Sequence, residues 1–129
     1  MYAALIRRAA AVALPVLAGA ALFVTPAHAQ AAELHIVKHN LPAGTAERWV
    51  LTCHPDDGTH PDPFAACDRL RRIGGDLERI RFRPDVPCPR IFDPVRVEIN
   101  GWFYGQHKHF DEHYPNPCFV EKIASPIVP

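Results

Sequence analysis

Proline sets the first limit on this chain. Fourteen of its 129 residues are proline, roughly twice the average usage of about 5%. An interior proline removes an amide donor and clashes with the turn before it, so long unbroken helices are excluded. Four prolines fall between Arg83 and Pro94, and that stretch must be extended or irregular. The chain is nonetheless 48% hydrophobic, too apolar for general disorder, and its length fits one domain. Basic and acidic residues balance at 14 each, which argues against a nucleic-acid partner, since such proteins are usually basic.

Met1 to Ala29 reads as a secretory signal peptide. Arg7 and Arg8 form a positive start, Ala9 to Val24 is almost wholly apolar, and Ala27-His28-Ala29 is a small-x-small cleavage site. The apolar run is shorter than the roughly 20 residues of a membrane span, so a secreted, extracellular protein without a membrane anchor is expected. The domain proper is then 30–129. Its 12 basic residues against 14 acidic ones leave it at −2.

All four cysteines, Cys53, Cys67, Cys88 and Cys118, lie in that domain. An even number of cysteines in a small exported domain points to disulfides, with three pairings open. The rival is a zinc site. The intervals of 13, 20 and 29 residues between successive cysteines contain no C-x2-C pair, so structural zinc is not expected.

The expected fold class is α+β, an antiparallel sheet of about five strands with one or two helices packed on one side. Glu33 to Lys38 alternates as a strand, Asn40 to Gly44 turns, and Arg48 to Cys53 is a second strand. Pro63 to Ile73 carries Phe64, Ala66, Cys67, Leu70 and Ile73 at helical spacing, with Asp62 as N-cap and Gly74 as stop. Gly75 to Ile80 adds one more turn. Val95 to Ile99 alternates cleanly. Asn100-Gly101 is a strong hairpin signal, which makes Trp102 to Phe110 the return strand. Ile123 to Pro129 reads as a short final strand or a loose tail.

No catalytic constellation stands out. There is no G-x-S-x-G, and Ser125 is the domain's one serine, so a serine triad is poorly supported. Oxidised cysteines leave no thiolate nucleophile. Asp56, Asp57 and Asp62 read as turn residues. His54 and His60 bracket a polar loop and suit loop hydrogen bonds. His107 and His109 share a strand face, with His113 close by. Such a set binds metal weakly, and a solvated strand face is the plainer expectation. A secreted histidine-rich metal-binding module is the alternative reading; no cofactor is expected.

The most informative segment is Val86-Pro87-Cys88-Pro89-Arg90-Ile91-Phe92-Asp93-Pro94. A long basic side chain sits between two rigid anchors. Pro89 fixes φ beside a cysteine that can be bridged to the body, and Pro94 leads into a strand. Proteases bind substrates in extended form, and rigidity lowers the entropy lost on binding. An ordinary proline-rich connection with a surface arginine fits these residues equally well.

The sequence closely resembles the Streptomyces subtilisin inhibitor-like family of secreted serine-protease inhibitors. The matching pieces run in order: Leu51-Thr52-Cys53, Gly58-Thr59-His60-Pro61, Ala66-Cys67 with Leu70, and Gly74-Gly75-Asp76-Leu77. Cys88-Pro89-Arg90-Ile91-Phe92-Asp93-Pro94-Val95, Gly101-Trp102 and Asn116-Pro117-Cys118 complete the set. The resemblance spans about Arg48 to Glu121.

The resemblance implies disulfides Cys53–Cys67 and Cys88–Cys118. It implies a reactive bond Arg90–Ile91, with Arg90 entering the primary specificity pocket of a trypsin-like or subtilisin-like protease. Pro87, Cys88 and Pro89 would line the non-primed side, and Ile91, Phe92 and Asp93 the primed side. Asn116 matches a position whose side chain supports the loop, and Pro94 carries the chain into the next strand. The partners implied are extracellular serine proteases and a second copy of the chain, paired through the sheet. Pro87 stands where the family often has a larger side chain.

Overall fold

The computed structural model describes residues 31–129 and, ahead of them, Gly19 alone. The expected signal peptide, Met1 to Ala29, otherwise lies outside the described residues. The chain forms a five-stranded antiparallel sheet. Its strands are β1 (Ala32–Asn40), β2 (Thr45–Cys53), β3 (Asp57–Gly58), β4 (Val95–Phe103) and β5 (Gln106–Tyr114), in the spatial order β3-β2-β1-β4-β5. Helix α1 (Pro63–Arg72) and a 3-10 turn (Leu77–Ile80) lie between β3 and β4. A short helix α2 (Pro117–Phe119) runs into a π-type turn, Val120–Ala124. This is the expected α+β class, although β3 is only two residues long.

Alternation decides which face of the sheet is covered. In β1, Ala32, Leu34 and Ile36 are buried while Glu33 and His35 are exposed. In β4, Val95, Val97 and Ile99 are buried in the same way. Onto this apolar face α1 packs Ala66, Cys67 and Leu70, a ridge at helical spacing. Phe64 had the right residue type for that ridge, yet it is 69% exposed. It sits about 120° around the helix from Leu70.

The ends of α1 follow from local chemistry. The Asp62 carboxylate accepts from the Ala65 amide at 3.1 Å, and Pro63 follows it in the first turn. At the other end Gly74 has φ +61°. The Gly75 amide donates to Leu70 O at 2.8 Å and the Gly74 amide to Arg71 O at 3.0 Å. That bond pair is the Schellman arrangement. Gly75 is constrained twice: its φ is +68°, and a Cβ there would lie 2.4 Å from the Phe103 ring.

Two expectations are corrected. Asn100-Gly101 does not turn the hairpin; both residues lie inside β4. The glycine serves a close approach instead, because a Cβ at Gly101 would lie 2.0 Å from Glu33 O. The turn falls at Tyr104-Gly105, where φ is +47° and +79°, as a two-residue type I′ loop requires. Nor is the C-terminal segment a strand or a loose tail. Ile123, Ala124, Ile127 and Val128 are all buried. Their carbonyls are pinned from the body: Arg69 donates to Ile123 O and Ser125 O, and His60 Nε2 lies 3.1 Å from Ile127 O. The Asp62 amide donates to His60 Nδ1, leaving Nε2 as the donor to the tail. Burial makes that anchoring obligatory, since carbonyls removed from water need partners.

Candidate functional site

The segment from Arg81 to Pro94 has no regular secondary structure, and its proline content explains why. Arg90 is exposed, Ile91 is 62% exposed and Phe92 is 86% exposed. Two large apolar side chains offered to water in sequence, next to a basic one, are unusual on a small domain.

Four kinds of anchor hold this segment. A disulfide joins Cys88 to Cys118, and a second joins Cys53 to Cys67 in the core; no cysteine is free. The Asn116 side chain, 4% exposed, donates through Nδ2 to Pro89 O at 2.9 Å and to Ile91 O at 2.8 Å. Its Oδ1 accepts from the Cys118 amide at 3.0 Å, which also caps α2. The Asp93 amide donates to Pro115 O at 2.9 Å, and Pro94 O accepts from the Leu41 amide at 3.2 Å as the chain enters β4. Lys122 donates to Pro87 O.

The anchored carbonyls belong to Pro87, Pro89 and Ile91, every second residue. In extended chain successive carbonyls point to opposite sides. Between two of the anchored carbonyls, the Arg90 carbonyl accepts no hydrogen bond among the described residues. Beneath the segment, Phe82 and Phe119 meet edge to face with ring centroids 5.0 Å apart. The result is an extended strip whose back is held and whose front is open.

Of the two residues expected as supports, Asn116 bonds to the segment through its side chain and Pro94 through its backbone carbonyl. The contacts of Lys122, Pro115 and the Phe82–Phe119 pair were not foreseen, since each depends on a fold-dependent approach of segments distant in sequence. The other candidates fall elsewhere. Asp56 accepts from the His54 amide and pairs with Arg71 at 3.0 Å, and the Arg71 guanidinium holds its carboxyl below the usual range. Asp57 lies in β3 and Asp62 caps α1. His107, His109 and His113 are exposed on one side of β5. Among the described residues, the only group of three or more metal-type donors brought close together is Cys53, Cys67 and Asp56, and those two sulfurs are bonded to each other.

A sequence model of subtilisin inhibitor-like proteins matches residues 19–116. The chain belongs to the subtilisin inhibitor-like family. It is 37% identical over 104 residues to subtilisin inhibitor-like protein 4 of Streptomyces lavendulae, covering 78% of this chain and 90% of that protein. It is 36% identical over 122 residues to trypsin inhibitor STI2 of Streptomyces longisporus, covering 92% of this chain and 81% of that one. Sermetstatin of Streptomyces caespitosus, solved in complex with Bacillus licheniformis subtilisin, superposes with a TM-score of 0.61 at 28% identity. That match covers 75% of this chain and 96% of sermetstatin.

Proposed function

We propose that this protein is a secreted inhibitor of serine endopeptidases, not an enzyme. It presents Pro87 to Asp93 as a substrate-like strand with Arg90–Ile91 as the reactive bond. The observation that carries this reading is the Asn116 amide, bonded to the carbonyls on both sides of Arg90 while the Arg90 carbonyl stays free. The relatives named as subtilisin and trypsin inhibitors support the partner class.

Inhibition follows from what happens after attack. The protease serine adds to the Arg90 carbonyl, the C–N bond to Ile91 breaks, and an acyl-enzyme and a free Ile91 amine result. In an ordinary substrate that amine diffuses away. Here the acyl side is tied by the Cys88–Cys118 disulfide two residues before the bond, and the amine side by Pro94 and β4, paired along nine residues with β1. The amine stays beside the acyl carbon at high effective concentration, so religation outruns hydrolysis.

Arg90 assigns a preference for trypsin-like enzymes, whose primary pocket ends in a carboxylate that pairs with a guanidinium. Subtilisin-like enzymes read several positions along the strand, and Ile91 and Phe92 offer them exposed apolar surface. The test is Arg90→Glu. Leaving the pocket carboxylate facing a like charge costs roughly 3–5 kcal/mol, more than a hundredfold in the trypsin inhibition constant. An unchanged constant would reject the assignment. We further propose that residues 1–29 are removed on export and that two copies pair through the outer face of the sheet, away from the loop. That face is mixed in charge and, among the described residues, covered by no helix.

A further inference from the structure

Protease inhibition leaves one feature of the molecule unused. The outer face of the sheet carries five of the chain's eight histidines. The register lines up His35, Asn100 and His109 in one cross-strand row, and His39, Arg96 and His113 in another. His107 lies opposite Trp102, its ring edge-on to the indole at 5.2 Å.

These imidazoles differ in their company. His39 has Glu98 at 2.6 Å, and His35 has Glu33 at 3.1 Å. The three on β5 have no such carboxylate among the described residues. His109 Nδ1 lies 2.5 Å from Asn100 Oδ1, and His113 stands opposite Arg96. The nearby Asp111 is engaged by Arg96 through two bonds of 2.9 and 2.5 Å. That guanidinium, helped by His113 and His109, holds the Asp111 carboxyl below its usual range. On the β2 side the face adds Val50 opposite His35 and Arg48 opposite Val37.

With neutral imidazoles the four long strands carry on this face three carboxylates, Glu33, Glu98 and Asp111, and two guanidiniums, Arg48 and Arg96, while Asp57 of β3 adds a carboxylate at its edge opposite Thr52. Signs that are mixed and nearly balanced suit a surface that lies on a copy of itself about a two-fold axis, where each residue's contact is repeated in reverse. Protonating β5 adds up to three positive charges to one strip. In a pair the same charges appear on both copies, inside a contact from which water is excluded and where like charges repel strongly.

We propose that the outer sheet face is a self-association surface released by acid, with His107, His109 and His113 as the sensing groups. The inference rests on the reading that copies pair through the sheet, and adds its control. The sign follows from linkage. Pairing disfavours the charged imidazole, so the separated chains bind more protons. The dimer is therefore favoured above the ordinary imidazole range, near about pH 6.5, and is lost as pH falls through it.

The test is sedimentation velocity of the oxidised protein near about pH 7.5 and 5.5 at fixed ionic strength, on wild type and H107Q/H109Q/H113Q. We expect the wild-type dimer to weaken by on the order of tenfold or more at the acid pH. The triple variant should change by less than about twofold. Salt near about 1 M at the acid pH should restore the wild-type dimer, a readout that needs no variant. A dimer equally tight or tighter in acid overturns the inference and leaves the pairing standing. A triple variant with the full pH response overturns the choice of sensing groups. A chain that is monomeric at both pH values, yet titrates trypsin one to one, overturns pairing and control together and leaves the inhibitory loop untouched.

Discussion

The two disulfides have the same chemistry and opposite surroundings. Cys53–Cys67 is wholly buried and ties the end of β2 to the core face of α1. Cys88–Cys118 is half-exposed and ties an irregular segment to the N-terminus of α2. By chain entropy the two are near equals. Closing about 15 residues is worth about 3 kcal/mol, and about 30 residues about 3.6 kcal/mol. Their consequences differ because of what each holds. The first holds elements that the core would hold anyway. The second holds a strip with no ladder of its own, two residues from the proposed reactive bond. A cross-link matters to function where little else supplies order.

That contrast gives a graded set of expectations. The largest belongs to the outer bridge. In Cys88→Ala/Cys118→Ala the acyl side of Arg90 loses its covalent tether. If the roughly 3.6 kcal/mol of closure acts on religation, hydrolysis of the loop by trypsin should rise more than a hundredfold. Single-turnover cleavage followed by mass spectrometry reads this. A variant that still inhibits durably would erase the contrast.

Next comes the inner bridge. Cys53→Ala/Cys67→Ala should lose about 3 kcal/mol of unfolding free energy, with somewhat more from the cavity left in the core. Its trypsin inhibition constant should stay within about threefold while it is folded. Denaturant melts paired with inhibition assays separate the two quantities. A large loss of inhibition in the folded variant would show that the core bridge also shapes the loop.

Asn116→Ala falls between them. It removes two bonds to the loop and the cap of α2, about 1 kcal/mol each. The expected result is a loop cut roughly ten to thirty times faster, with a stability loss of about 2–3 kcal/mol. Asn116→Asp keeps the cap but buries a carboxylate oxygen against the Pro89 and Ile91 carbonyls, so it should restore neither resistance to cleavage nor stability.

The smallest effect concerns the ion pair beside the inner bridge. Asp56 is held below its usual value chiefly by its hydrogen bonds from Arg71, so its contribution is present above the unfolded carboxylate range and is lost as pH falls through the lower folded value. The pair is at the surface, so the effect should be under about 1 kcal/mol. Melting temperatures between about pH 5 and 2 should fall less steeply in Asp56→Asn than in wild type.

Much of this was legible in the sequence, for identifiable reasons. The irregular course of the segment from Arg83 to Pro94 was legible because four prolines forbid regular structure, but those residues alone fit an ordinary connection equally well. Helix α1 was legible because Asp62 and Gly74 mark its ends and Ala66, Leu70 and Ile73 its spacing. Two places misled. Asn100-Gly101 has the chemistry of a hairpin turn, but the inward alternation Val95, Val97, Ile99 continues through Gly101 to Phe103. Nine residues of ladder outweigh a two-residue preference. In the tail, Val120, Ile123, Ala124, Ile127 and Val128 repeat at helical spacing, which Pro126 hides from a reading that treats proline as an end. The Lys122–Pro87 contact left no trace, because it depends on how that tail folds back.

The central claim is that Arg90–Ile91 is offered to a protease and scarcely consumed. Equimolar oxidised protein and trypsin, sampled over hours for free trypsin activity and for peptide mass after reduction, test it most directly. The account expects activity to vanish at one to one and stay absent, with any cut chain split only between Arg90 and Ile91. Recovery of full trypsin activity as the protein is digested at that bond would contradict it.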